Sequence, residues 1–204
     1  MIRAGIIGSG IGLKHFDAIN RYKGSKVVCI LEKNKFRALK LKKKLEKFKV
    51  NVLTDEKEFF KIKNLNLISI ASYDEYHFSQ ILKCIKKNCH IIVEKPVCLK
   101  QAQLKKIQSE LKKKKKIKFI SNLVLRENSL FKAIKSKINL KNIYHVDSSY
   151  LWGRTSKLFG WRSKTNNYSL TLGAAIHILD LICWMLKSRP VFVFAKSSNK
   201  ITKK

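Results

Sequence analysis

The sequence predicts an α/β protein, a doubly wound parallel sheet followed by a partial α+β domain with mainly antiparallel strands. Three observations carry this. Over residues 1–121, short apolar runs alternate with longer amphipathic ones, the pattern of strands and helices in turn. The first apolar run ends in Gly8-Ser9-Gly10-Ile11-Gly12, a glycine loop between strand and helix. Beyond Asn122 the alternation stops, and longer aromatic-rich segments take over.

The elements follow in order. Residues 2–8 read as a strand and 12–21 as a helix. A second strand at 26–31 precedes a Lys-rich amphipathic helix at 35–48. A short strand at 50–53 leads into a short helix at 55–60, with Thr54 as its expected N-cap. Strands at 65–71, 90–94 and 117–122 are separated by helices at 75–87 and 100–115. Helices of this length between strands imply right-handed crossovers and a parallel sheet. The lysine run 112–116 closes the last helix, because cations are favourable at a helix C-terminus. In the remainder, a helix at 129–137, a strand at 143–152, a helix at 173–186 and a strand at 191–197 are expected. The division is therefore 1–121 and 122–204.

Composition narrows the function classes. With 45% hydrophobic residues in 204, the chain can bury a core. Its longest apolar runs are strand-length, below the roughly 20 residues of a membrane span, and it opens on a strand with no signal-peptide pattern. Five cysteines, an odd number without CxxC or Cys/His ligand spacing, read as free thiols in a reducing cytoplasm and as no metal site. Lys+Arg outnumber Asp+Glu by 45 to 13, a formal charge of +32. Lysine dominates and seldom interleaves with aromatics, so the charge reads as solvated helix faces and not as specific nucleic-acid recognition.

The chemistry sits at strand ends. Gly8 permits a tight turn, and Gly10 lets the backbone approach a pyrophosphate at the helix N-terminus. The third glycine of a dinucleotide fingerprint is expected at 13, where Leu13 stands. Gly12 comes one residue early. Glu32 ends the second strand, where a carboxylate binds adenosine ribose hydroxyls. That favours NAD, while Lys33 and Arg37 nearby keep NADP open. Glu94-Lys95-Pro96 ends the fifth strand. A lysine there can polarise a hydroxyl or carbonyl oxygen, and Pro96 biases Lys95 to extended geometry.

Together these residues resemble a known family. Gly8-x-Gly10, His15 in the next helix, Ile-Ala-Ser-Tyr-Asp-Glu-Tyr-His ending at His77, and Val-Glu-Lys-Pro ending at Pro96 resemble the Gfo/Idh/MocA NAD(P)-dependent oxidoreductases. Trp161 and the segment from Gly173 through His177 and Asp180 to Trp184 are similar to that family's later region. The resemblance implies a Rossmann domain at 1–121 and part of a substrate-binding, oligomerising domain at 122–204. It implies a hydride exchanged between nicotinamide and a hydroxyl or keto carbon of a sugar, sugar nucleotide or cyclitol. Lys95 matches the catalytic lysine. His177 matches the histidine that exchanges the substrate's hydroxyl proton. Gly8, Ser9, Gly10, Ile11, Gly12 and Glu32 are then expected on the cofactor, as are Ala71, Ser72, Tyr73, His77, Glu94 and Lys95. Asn122, Arg126, Trp161 and Asp180 are expected on the substrate.

Two departures stand out. The family's Asp one turn before the histidine is Gly173 here. Family members are also longer, so a truncated second domain is expected, with homo-oligomers for a full-length form. The competing expectation is a catalytically silent NAD-binding protein.

Overall fold

The computed structural model describes residues 1–164 and 168–198, without the side chains of Thr155, Lys157, Trp161 and Lys164. Its backbone forms two compact units, Met1–Asn122 and Leu123–Lys204.

The first unit is a six-stranded parallel sheet. Its strands are β1 (Ile2–Ile7), β2 (Ser25–Leu31), β3 (Asn51–Leu53), β4 (Leu67–Ile70), β5 (His90–Val93) and β6 (Phe119–Ser121). The helices between them are α1 (Gly12–Arg21), α2 (Lys35–Leu45), α3 (Glu56–Lys61), α4 (Asp74–Lys86) and α5 (Gln101–Lys113). The strand order is β3-β2-β1-β4-β5-β6, with every pair parallel. Both faces are covered, which is why the strands read as unbroken apolar runs. Phe16 and Ile19 of α1 and Ala38 and Leu41 of α2 pack with Ala4, Ile6, Val27 and Ile30. Phe59 of α3, Ile81 and Ile85 of α4 and Ile107 of α5 pack with Ile7, Leu31, Ile68 and Ile91.

Local chemistry sets the helix starts. Asn34 accepts from Arg37 N at 2.9 Å, which caps α2. For α3 the expected cap is one residue early. Asp55, not Thr54, accepts from Lys57 N at 2.6 Å, and an acidic cap also suits the helix dipole. The lysine run does close α5, whose last turn holds Lys112 and Lys113.

All five cysteines are free. Burial pushes the Cys29 thiol up to about 12 and raises Cys84 and Cys89 as well. Cys29 then holds on the order of a thousandfold less thiolate than an ordinary thiol at neutral pH. In a timed reaction with an aromatic disulfide, Cys29 and Cys84 should react only on unfolding, after the half-buried Cys98 and Cys183.

The second unit holds α6 (Ser129–Lys137) and α7 (Ile176–Leu186), the latter preceded by a π-turn at Thr171–Ala175. The strands expected at 143–152 and 191–197 are not formed, and the described residues of this unit contain no strand. A mainly antiparallel sheet is therefore absent from them. The physical reason is the lack of pairing. Two candidate strands make at best a marginal sheet, and Tyr144, Leu151 and Val191 stand almost fully exposed. Among the described residues no helix is long and apolar enough to cross a membrane.

Candidate functional site

In a sheet of this order, the crevice opens beyond the carboxyl ends of the strands at the reversal, β1 and β4. The glycine loop follows β1, Ala71-Ser72-Tyr73 follows β4, Glu94-Lys95-Pro96 follows β5, and Asn122 follows β6. Most of the residues singled out in the first domain therefore converge on one edge.

Each glycine of the loop has its own reason. Gly8 has φ +93°, and a Cβ on it would lie 2.5 Å from the Ala71 carbonyl oxygen. The β1 and β4 loops thus touch through bare backbone. Gly12 opens α1, and a Cβ there would lie 2.9 Å from Ile6 Cγ2 and 3.4 Å from Ala71 Cβ. That close helix–strand approach is the role of a fingerprint's third glycine, met here one residue early. A Cβ on Gly10 would meet nothing within 4 Å. The loop faces open space there, at the start of a helix whose first turn carries no acidic residue. Ser9, Gly10 and Ile11 fit the pyrophosphate of a dinucleotide.

Glu32 closes the β2 side and is only 8% exposed. Its Oε2 accepts from the Ser9 hydroxyl and from Ser9 N at 3.4 Å, and its Oε1 accepts from Asn34 N at 2.9 Å. Oε1 keeps a further acceptor site, so the residue fits a ribose hydroxyl while bracing the loop. Lys33 stands over the Tyr76 ring, 4.6 Å from its centroid.

On the β4 side, Tyr73 sits at the rim as the N-cap of α4, while Ser72 turns its hydroxyl to Gln80 Oε1 at 2.6 Å. His77 is placed differently from expectation. It is wholly buried, with Nδ1 2.7 Å from the Pro96 carbonyl and Nε2 3.2 Å from the Ser72 carbonyl. Both ring nitrogens are committed to backbone, so it braces two loops and does not line the crevice.

Glu94 anchors a polar cluster that the sequence did not show. Its Oε1 accepts from Asn122 Nδ2 at 2.6 Å and lies 3.0 Å from His15 Nε2. His15 Nδ1 lies 2.6 Å from the hydroxyl of Ser69, a fully buried serine in β4. Burial would raise the Glu94 carboxyl, but the hydrogen bonds from His15 and Asn122, with the charges of His15 and Lys95, hold it below its usual range. An ionised Glu94 only accepts, so His15 Nε2 carries the proton between them, and the Ser69 hydroxyl pairs with Nδ1. The folded-state pKa of Glu94 lies below the unfolded one. The cluster's contribution to stability is thus present above the ordinary carboxylate range and is lost on acidification. Asn122, expected on the substrate, donates its Nδ2 to Glu94. Lys95 follows Glu94 directly, joined to Pro96 by a cis peptide.

In the second unit, Arg126 and Asp180 lie against each other. They form a two-point pair. Arg126 Nε donates to Asp180 Oδ2 at 2.7 Å and Nη2 donates to Oδ1, which raises the Arg126 pKa. His177 lies on α7 with its ring stacked on Tyr150, centroids 6.3 Å apart. A Cβ at Gly173 would lie 2.1 Å from the Tyr168 hydroxyl, so Tyr168 fills the space a side chain there would need. The side chain of Trp161 lies outside the described residues.

Sequence reasoning passed over Ser69 and marked His15 only as part of the family pattern, without a role at the site. The available signals were a histidine three residues into the first helix and a lone serine in the apolar strand Leu-Ile-Ser-Ile.

A family model described as "Oxidoreductase family, NAD-binding Rossmann fold" matches residues 2–122. Oxidoreductase cns1 of Cordyceps militaris is 26% identical over 127 residues, 60% of this chain and 16% of that protein. The myo-inositol 2-dehydrogenase of Lactobacillus plantarum superposes with a TM-score of 0.77 at 18% identity, over 91% of this chain and 56% of its own. The scyllo-inositol dehydrogenase of Lactobacillus casei, solved with NAD(H) and scyllo-inositol, gives 0.78 at 19%, over 92% and 56%. The WlbA (WbpB) dehydrogenase of Thermus thermophilus, solved with NAD and UDP-GlcNAcA, gives 0.72 at 19%, over 91% and 63%. The chain thus spans little more than half the length of the two inositol dehydrogenases. At these identities the superpositions establish the fold, and the family match adds the lineage: the chain belongs to the Gfo/Idh/MocA oxidoreductase family, with an NAD-binding Rossmann fold over residues 2–122.

Proposed function

We propose that the first domain, 1–121, binds NAD(H) in the crevice between the β1 and β4 loops. Residues 122–204 would form part of a domain that binds a sugar, sugar nucleotide or cyclitol and mediates self-association. The observation that carries this reading is the open space before Gly10, flanked by Glu32 on one side and Lys95 on the other along the sheet edge. Bound nicotinamide would supply the hydride acceptor or donor. The chain's own residues would do the rest. Ser9, Gly10 and Ile11 hold phosphate with backbone N–H groups, and Glu32 accepts from a ribose hydroxyl. Lys95 donates a hydrogen bond to the reacting oxygen, and His177 takes or returns its proton. The inositol and UDP-sugar ligands of the structural neighbours support the substrate class. The free cysteines are in keeping with a cytoplasmic protein.

A second reading, a silent NAD-binding protein, draws on Tyr168 filling the space at Gly173 and on the mutual pairing of Arg126 and Asp180. A panel of inositols, sugars and UDP-sugars, followed by nicotinamide absorbance, separates the two. Turnover with any member supports the enzyme. Retained NAD(H) binding without turnover supports the silent form. For cofactor choice, Glu32→Gln should weaken NAD(H) binding about tenfold by calorimetry and narrow the preference over NADP(H), because one charge-assisted hydrogen bond contributes roughly 1.5–3 kcal/mol.

A further inference from the structure

We propose that His15 is a positioning residue for Lys95, acting through Glu94 in a brace that His77 completes from the other side of the turn. The inference rests on the reading of Lys95 given above. The tripeptide Glu94-Lys95-Pro96 is held at both flanks. On one flank, the Glu94 carboxylate is fixed by His15 of α1 and Asn122 beyond β6. On the other, the Pro96 carbonyl is fixed by His77 of α4, whose second nitrogen meets the Ser72 carbonyl. The Lys95 backbone lies between two anchored neighbours drawn from opposite sides of the sheet switch.

Ser69 holds the His15 ring from behind. It is fully buried in β4, and its hydroxyl faces His15 Nδ1 at 2.6 Å. With Nδ1 paired to Ser69, the ring turns Nε2 to the Glu94 carboxylate, which can only accept, so Nε2 donates to it. The groups facing Glu94 are thus His15 from α1, Asn122 after β6 and Lys95 beside it. A histidine present only to fill space would need neither a buried hydroxyl behind it nor a carboxylate before it.

The test reads Glu94 and Lys95 directly in the whole chain, without substrate. Glutamate labelled at its side-chain carboxyl and lysine labelled at its ε-carbon are followed by carbon NMR through a pH titration. The two signals are assigned by their loss in Glu94→Gln and Lys95→Arg. In His15→Leu the Glu94 midpoint should rise and the Lys95 resonance should move. His15→Gln, which can present an amide N–H where Nε2 stood, should return both toward the unsubstituted positions. If His15→Leu does not fold, Ser69→Ala reads the same coupling and should move both signals in the same direction by less. Once a substrate is known, His15→Leu should lower kcat about tenfold or more with KM for NAD little changed, the signature of a misplaced group. A folded His15 variant with an unmoved Lys95 resonance overturns the proposal. A wild-type chain that fails to bind NAD(H) bears on the proposed function and leaves the carboxylate and lysine signals to judge the brace.

Discussion

Lys95→Ala is expected to lower the rate of hydride transfer by about 10²–10⁴-fold, the usual range for loss of a positioned proton-handling group. The expectation follows from place. Lys95 follows β5 at the carboxyl edge of the sheet, between an anchored carboxylate and an anchored carbonyl. Removing its side chain leaves those anchors intact, so the fold and the glycine loop should be unaffected. NAD(H) affinity should change by no more than a few-fold. Single-turnover absorbance with the best substrate from the panel measures the rate, and calorimetry measures the affinity. A proportional fall in both would place Lys95 on the cofactor alone and remove it from the chemistry.

The glycine loop gives the second large effect, and it separates folding from binding. Gly8→Ala places a Cβ 2.5 Å from the Ala71 carbonyl at a φ of +93°. Neither backbone can yield without moving the end of a strand. The cost is about 3 kcal/mol, from a strained backbone region and a main-chain clash together. In a domain of this size that lowers the melting temperature by about 10 °C. Gly10→Ala differs, because its Cβ meets nothing within 4 Å. Its melting temperature should stay within a degree or two of wild type, while NAD(H) affinity falls at least tenfold as the methyl enters the space assigned to the phosphates. Thermal melts beside calorimetry of the two variants check this directly. Equal affinity for NAD(H) in Gly10→Ala and wild type would move the pyrophosphate elsewhere.

The first domain was largely legible because its physics is local. Strands covered on both faces must be apolar throughout, so Ile2–Ile7, Leu67–Ile70 and His90–Val93 show in the sequence as short apolar runs. Glycines at a strand-to-helix turn show for the same reason, although the purpose of Gly12 needed its distance to Ile6. What stayed hidden depends on contacts distant in sequence. His15 and Glu94 are 79 residues apart, and Asn122 joins them from the end of β6. The motif that contains His77 marked the right loop, but motif position alone does not tell a residue facing the crevice from one buried behind it. In the second unit, β-type apolar patterning at 143–152 and 191–197 expressed a preference that pairing did not realise. A strand exists only with a neighbour, and none is present among the described residues.

The central claim is that the edge bearing Gly10, Glu32 and Lys95 is an NAD(H) site, and titration of the folded, unsubstituted chain with NADH in a calorimeter tests it most directly. Saturable binding at one site per chain, weakened in both Gly10→Ala and Glu32→Gln, is the expected result. Heat indistinguishable from dilution, with the chain folded by circular dichroism, contradicts it.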